Sequence, residues 1–273
     1  QSPLDGIRDT LTRAAAHLPR VDAIGGSAAG IYIKNEVRVA SLFRGITDPA
    51  VYDEKVRPIF RNLRKEWNNV PFDVINDGEV TALAGSMSMN ANSLLGISMG
   101  TSQAVGYCDA HGHISPWLNE LAFAPIDYRE DAPLDEWSKD RGCGVQYFSQ
   151  QGVARIAKPA GFDFGGMPFP EQLVEVQNAM QAGDDRARKI YLTIGTCFGY
   201  AIAHYAEFYD IQNLLILGRV TSGAGGDLIL EESANLLKSE FPQLAEQLTM
   251  STPDEQMKRH GQAVAAASLP VLP

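Results

Sequence analysis

Residues 94–107 read LLGISMGTSQAVGY: an apolar run of strand length, a Gly-Thr-Ser turn, and a second apolar run leading to Tyr107. Two such runs around a tight turn predict a strand, a turn and a second strand. Backbone N–H groups converge in a glycine turn and bind oxyanions, and Thr101 and Ser102 add hydroxyl donors. A phosphate-binding turn and a plain turn are both open at this point.

Three further stretches have a comparable character: GGSAAG at 25–30, VIND at 74–77 and LILGRVTSGAGG at 215–226. Neither standard phosphate fingerprint is present. GGSAAG is followed by Ile31 and Tyr32 rather than by the Lys and hydroxyl residue of a Walker loop, and no strand leads into G-x-G-x-x-G. VIND sets a carboxylate at the end of a buried strand, where Asp77 can take a proton from an attacking hydroxyl. The same Asp77 also suits the cap of the helix that follows.

A rival motif lies inside the opening stretch. Residues 96–100 fit G-x-S-x-G, the nucleophile elbow of serine hydrolases, with Ser98 as nucleophile. The elbow requires a helix after the turn, whereas the residues after Gly100 read as a second strand. The candidate bases His204 and His260 fall within predicted helices. His111 and His113 flank Gly112 at a predicted hairpin tip, with no third metal ligand nearby. Trp117, Trp137, Tyr147 and Phe148 either line a sugar site or fill the core, and packing is the default.

The 273 residues are 45% hydrophobic and 21% charged, enough for one large core or two modest ones. A formal net charge of -10 argues against a surface for duplex DNA or anionic membrane, both of which need a concentrated basic face. Cys108, Cys143 and Cys197 lie far apart, forming neither a disulfide framework nor a CxxC knuckle, which favours a reducing cytoplasm. No apolar run approaches the roughly 20 residues of a membrane span. The start lacks the apolar centre of a signal peptide and has no initiator Met, so it reads as a helix of a fragment or processed chain.

Periodicity predicts helices over residues 5–18, 51–67, 78–89, 146–157, 169–181, 184–209, 227–237 and 253–267. Short strands are expected around the glycines of 21–43, at 71–77, in a hairpin or meander over 94–114, and at 213–218. Residues 116–140, irregular and proline-containing, read as an insertion. Strands mixed with helices in this order indicate an α/β protein.

In order and spacing, the four stretches resemble the ROK (repressor, open reading frame, kinase) sugar kinases of the actin/hexokinase/Hsp70 superfamily. GGSAAG matches a glycine-containing strand segment of the first lobe, Asn76-Asp77 an Asn-Asp pair, Gly100-Thr101-Ser102 a Gly-Thr turn, and LLILGRVTSGAG the late strand with its glycine turn. Residues 181–218 are also similar to the family's last helix and strand.

The resemblance implies a two-lobe actin-like ATPase (ribonuclease H-like) fold with a central cleft. Residues 1–76 and 253–273 would form the sugar-side lobe, incomplete at its N-terminus, and residues 77–252 the nucleotide-side lobe. It further implies ATP-dependent phosphorylation of a hexose or amino sugar, with Mg²⁺, in a protein that forms a homodimer. Asp77 would be the catalytic base and Asn76, Gly26, Ser27 and Glu120 sugar-binding residues. Gly100, Thr101 and Ser102 would cradle the ATP phosphates, and Gly218, Arg219, Ser222 and Gly223 would pass against the adenosine.

Three departures stand beside this. Phe123 occupies the position of the family's sugar- or zinc-binding His, and of the cysteine cluster only Cys143 remains, so no structural zinc is expected. Arg219 replaces a glycine of the adenosine motif. The family's first phosphate loop, Asp-x-Gly-Gly-Thr, is absent. A non-catalytic sugar-binding or regulatory relative is therefore the second reading, and a hydrolase at Ser98 the third. No helix-turn-helix segment supports a DNA-binding repressor.

Overall fold

The computed structural model describes residues 2–115, 117–254 and 257–272. Leu4, Ile7 and Leu11 recur at helical spacing, and Ser2 and Asp5 cap each other reciprocally, so the chain opens as helix α1 (Pro3–Ala15). Three short strands follow: β1 (Ile24–Ala28), β2 (Ile31–Ile33) and β3 (Glu36–Val39). Lys34 and Asn35 take left-handed conformations at the tip between β2 and β3, as a two-residue hairpin requires. The Asn35 Oδ1 then accepts the Val74 N–H at 2.9 Å, fastening the hairpin to the next parallel strand.

A single turn α2 (Pro49–Val51), capped by Asp48, runs through a π turn into α3 (Ile59–Glu66) and then β4 (Phe72–Asn76). β4 pairs parallel with β1 in the register Ala28 opposite Asn76. Ile24, Val37, Phe43, Ile59, Phe60, Leu63, Phe72 and Val74 form one core around this pair. Leu63 is fully buried in it. Leu63→Ala is expected to lower the unfolding free energy by about 2–5 kcal/mol, read from the urea midpoint at constant slope.

Helix α4 (Asp77–Met89) crosses to a second sheet. Strands β5 (Leu94–Met99) and β6 (Gln103–Cys108) form the expected hairpin. Ile114 continues antiparallel to Cys108. After the irregular insertion come α5 (Gln150–Ala157), α6 (Phe169–Gln181), α7 (Asp185–Ala206) and β7 (Asn213–Leu217). They are followed by α8 (Gly223–Glu240), α9 (Pro242–Gln247), β8 (Thr249–Ser251) and α10 (Gln262–Ala267). The sheet order is β6-β5-β7-β8, with β7 parallel to both neighbours. On α7, Ile190, Tyr191, Ile194, Phe198, Ile202 and Tyr205 recur at three- and four-residue spacing and are all buried in the larger core.

Five local expectations change. The single helix expected over residues 51–67 is broken by a π turn at Tyr52–Val56, and only Ile59–Glu66 forms α3. The helix expected from residue 146 begins at Gln150, because Ser149 caps it by accepting the Gly152 N–H, and residues Gly144–Gln146 form a 3₁₀ turn instead. The helix expected from residue 227 begins at Gly223. Helix α9 and strand β8 were not expected at all. Of the terminal helix expected over 253–267, residues 255–256 lie outside the described residues, and Met257–Gly261 form a π turn before α10.

Between the two sheets lies a third apolar cluster. Val80, Ala82 and Ala84 of α4 meet Ala265 and Ala266 of α10. The Gln262 Nε2 donates to the Thr81 Oγ1 at 2.7 Å, tying the two helices together.

Candidate active site

The end of β4 alternates buried Phe72 and Val74 with partly exposed neighbours, then stops at Asn76 because the next residues start a helix. The Asn76 Oδ1 accepts the Gly78 N–H at 2.7 Å, and its Nδ2 donates to the Gly30 carbonyl at 2.8 Å. One N–H and one lone pair of that amide therefore remain for another molecule. Asp77 follows as the first helical residue.

The first turn of α4 is pressed backbone to backbone on β6. A Cβ on Gly78 would lie 2.4 Å from the Val105 carbonyl oxygen, and one on Gly106 would lie 2.3 Å from that of Gly78. Only glycine at both positions allows this approach. It sets the start of α4, at Asp77, against the middle of β6, and the Gly100–Ser102 turn leads into the first residue of that strand. Ser102 and Val105 are three residues apart, about 10 Å along a strand.

Three ionisable side chains gather round Asp77. Tyr32, on β2, has its phenol pushed up to about 12 by burial and then by the Asp77 charge, and its hydroxyl donates to the Ala29 carbonyl. Glu120, just before a short turn (Leu121–Phe123), has its acid raised by burial and by Asp77. Glu79 is pushed up to about 7 by burial, opposed by the Asn76 N–H and reinforced by Glu120. Burial therefore favours the protonated forms of Glu79 and Glu120.

The expected binding residues Gly26 and Ser27 lie one strand away. Ser27 is opposite Ile75, and its Oγ is buried without a hydrogen-bond partner among the described residues. Gly26 is opposite Val74 and faces that side chain, so it looks into the sheet rather than toward Asp77.

The second half of the site forms at the carboxyl ends of β5 and β7, neighbouring parallel strands, the usual place for a ligand in an α/β sheet. The Gly100 N–H donates to the Ser102 carbonyl at 2.9 Å, and the Gly100 carbonyl accepts the Gln150 N–H at the start of α5. Thr101 and Ser102 are exposed. Gly218 has φ 109, and a Cβ there would lie 2.4 Å from the Met99 carbonyl oxygen, so the two glycine turns touch. The hydroxyls of Thr221 and Ser222 donate back to the Gly218 carbonyl. Helix α8 starts at Gly223, just after this junction, and its N-cap Ser222 makes no side-chain cap to the first amides. Arg219 is exposed at the turn, with its carbonyl accepting the Gln177 amide at 2.8 Å.

The structure brings Asn76, Asp77 and Glu120 together, and separately Gly100–Ser102 with Gly218–Gly223. Tyr32 and Glu79 were not among the expected site residues. For Glu79 a signal existed, since N-x-x-E before an apolar run is a capping-box pattern; Tyr32 depends on where the β2–β3 hairpin folds.

The hydrolase reading of Ser98 is corrected. Ser98 lies inside β5, paired with Ala104 and Leu217, and the chain turns at residues 100–102 into β6, not into a helix. With no strand-to-helix elbow, nothing presents its hydroxyl as a nucleophile. Ser98→Ala is expected to keep whatever turnover the wild type shows, and a fluorophosphonate is expected to leave the protein unlabelled.

His111 and His113 sit on the expected turn, their N–H groups donating to Asp109. Tyr147 and Phe148 are core residues, whereas Trp117 and Trp137 are exposed. Phe123 stacks near Trp137 at 5.3 Å, and Gln146 donates to Asp135 at 3.0 Å, so an aromatic contact and an amide–carboxylate bond brace this insertion.

No family model matches the sequence, and no curated protein does. Solved structures match throughout. The ROK hexokinase from Thermus thermophilus is 18% identical with a TM-score of 0.71, covering 96% of this chain and 85% of that one. A ROK family glucokinase from Streptomyces griseus, in complex with glucose and AMPPNP, is 19% identical with a TM-score of 0.68, covering 99% and 89%. A ROK family transcriptional regulator, homolog of the E. coli MLC protein, is 18% identical with a TM-score of 0.74, covering 96% and 66%. The chain has the actin-like ATPase fold in the form that ROK sugar kinases take. At these identities the likeness is one of fold.

Proposed function

We propose that this protein transfers a phosphoryl group from ATP to a sugar hydroxyl, with Asp77 as general base. The observation that carries the reading is the strand β6: the first turn of α4, which begins at Asp77, lies against its middle at Val105 and Gly106, and the Gly100–Ser102 turn leads into its first residue. A proton acceptor and an oxyanion-binding turn set against the same short strand suit a hydroxyl attacking a terminal phosphate. The structures of sugar kinases with this fold, one of them holding glucose and AMPPNP, support it.

The residues present fit a nucleotide. Thr101 and Ser102 offer exposed hydroxyls and amides, and the free first turn of α8 favours negative charge. Among the described residues no three His, Cys, Asp or Glu side chains could hold a metal ion together, so Mg²⁺ would ride on the phosphates. Bound Mg-ATP supplies the transferable phosphoryl group.

The chain's own part is positioning. Asn76 keeps one amide N–H for a sugar hydroxyl, Glu120 accepts from another, and Asp77 takes the proton of the attacking one. We read residues 1–76 and 253–273 as the sugar-side lobe and 77–252 as the nucleotide-side lobe, closing over the site to exclude water.

The test is thermal unfolding with Mg-ATP and with hexoses and N-acetylhexosamines, followed by a phosphorylation assay on the sugars that bind. A ligand at 100 times its Kd stabilises by about 2.7 kcal/mol. Both ligand classes are expected to raise the midpoint. A second reading, a sugar-binding regulator without transfer, is favoured by Arg219 exposed at the nucleotide turn and by the regulator that shares the fold. It predicts stabilisation by sugar and none by nucleotide.

A further inference from the structure

Helices α7 and α8 lie side by side and run in the same direction. A Cβ on Gly195 would lie 2.7 Å from that of Glu232, one on Gly199 would lie 3.0 Å from a Leu236 methyl, and the Tyr200 hydroxyl reaches Glu240. These contacts advance together along both helices, so the two C-terminal ends finish beside each other. Each such end carries a partial negative charge and favours a cation. Yet α7 ends at Ala206 with Glu207 as its C-cap, and α8 ends on Glu240. Among the described residues neither carboxylate is in a salt bridge, and Lys238, in the last turn of α8, is in none either.

Between these ends and the start of α9 opens a groove of about 680 Å³. Its lining combines the rings of Tyr200 and Phe241 and the Leu244 side chain with Glu207, Glu240 and His204. The Tyr200 hydroxyl donates to the Glu240 Oε1 at 2.7 Å, and its ring meets Phe241 edge-on, with 6.1 Å between centroids and 89° between planes. Glu240 keeps its second oxygen for another donor. The groove lies at the far end of α8 from Gly223, about 27 Å along an 18-residue helix, and shares no residue with the site around Asp77.

We propose that this groove binds an aliphatic organic cation of the di- or polyamine class, with ammonium groups on Glu207 and Glu240 and the methylene chain along Tyr200, Phe241 and Leu244. Two carboxylates and two helix ends favour positive charge, aromatic faces attract ammonium groups, and an apolar wall suits methylenes. The volume lies in the range of small-molecule sites. A metal ion is the poorer fit, because among the described residues no three His, Cys, Asp or Glu side chains come close enough together to hold one. The proposal does not depend on Asp77 or on phosphoryl transfer. A net charge of -10 also attracts cations diffusely, so the experiment has to separate that background from this site.

The probe is spermidine, titrated calorimetrically into the full chain in a buffer containing Mg²⁺, which occupies the diffuse negative surface. One saturable site is expected, weakening as NaCl is raised. Glu207→Gln and Glu240→Gln together are expected to raise Kd on the order of tenfold, because two exposed ion pairs are lost. Tyr200→Ala is expected to raise it several-fold through the lost ring, and Tyr200→Phe to leave it close to the wild-type value. Glu54→Gln, the same change of charge at an exposed position of the π turn before α3, is expected to leave Kd unchanged. A diol of spermidine's length is expected to give no heat of binding. Without ligand, the double variant is expected to melt no lower than the wild type, since it removes like charge from two helix ends, so its weaker binding is not a folding defect. The absence of a saturable site, equal binding by the double variant, or a Glu54→Gln protein weakened as much as Glu207→Gln overturns the proposal.

Discussion

Asp77→Asn is expected to lower kcat for sugar phosphorylation by about 10²–10⁴-fold while sugar and Mg-ATP still raise the melting temperature. The substitution changes one oxygen to an amide and leaves the helix start intact, because the Asn76 side chain supplies the cap by accepting the Gly78 N–H. What disappears is the acceptor for the hydroxyl proton. In the proposed site, binding would rest on Asn76, Glu120 and the glycine turns, all of which the variant retains. The comparison is a matched pair of assays: product formation, and midpoint shifts with each ligand. Undiminished turnover in Asp77→Asn would remove the base from the proposal, and Glu120, whose acid is also raised by burial, would be the next carboxylate to replace.

Much of this site could be read from the residues. The VIND stretch shows a buried strand ending at a capping pair because the alternation of Phe72 and Val74 stops where Asn and Asp begin. The 94–107 hairpin was legible because both runs are apolar on both faces and a Gly-Thr-Ser turn separates them. The start of helix α8 is hard to read because Gly223, Gly225 and Gly226 carry poor helix propensity; Gly225 packs against Tyr191 of α7 and Gly226 against the backbone of the preceding Thr221, where a side chain would not fit. β8 reads Thr-Met-Ser, with no strand pattern of its own, and exists because β7 offers it a parallel edge. Tyr32 became a site residue only because β1 and β4 pair in the register that sets Ala28 against Asn76. Such long-range pairings leave little trace in local sequence.

The same long-range contact yields the second large prediction. Gly106→Ala is expected to destabilise the protein by roughly 3 kcal/mol and to abolish turnover along with it. The new Cβ would meet Gly78 O at 2.3 Å, Glu79 Cα at 2.5 Å and Gly78 C at 2.6 Å, all of them backbone atoms that no rotamer change can move. Helix α4 must then rise off β6 at its first turn, where Asp77 stands. If Asp77 is the base, as proposed, displacing it by an ångström is enough to lose about 100-fold in rate, even in the fraction that stays folded. Gly45→Ala is the control, because nothing lies within 4 Å of its Cβ, and its effect should stay within about 0.5 kcal/mol. Denaturant midpoints and turnover on the two variants separate the causes. If Gly106→Ala loses stability but keeps full turnover per folded molecule, then the approach of α4 to β6 is only structural and does not hold Asp77 in place.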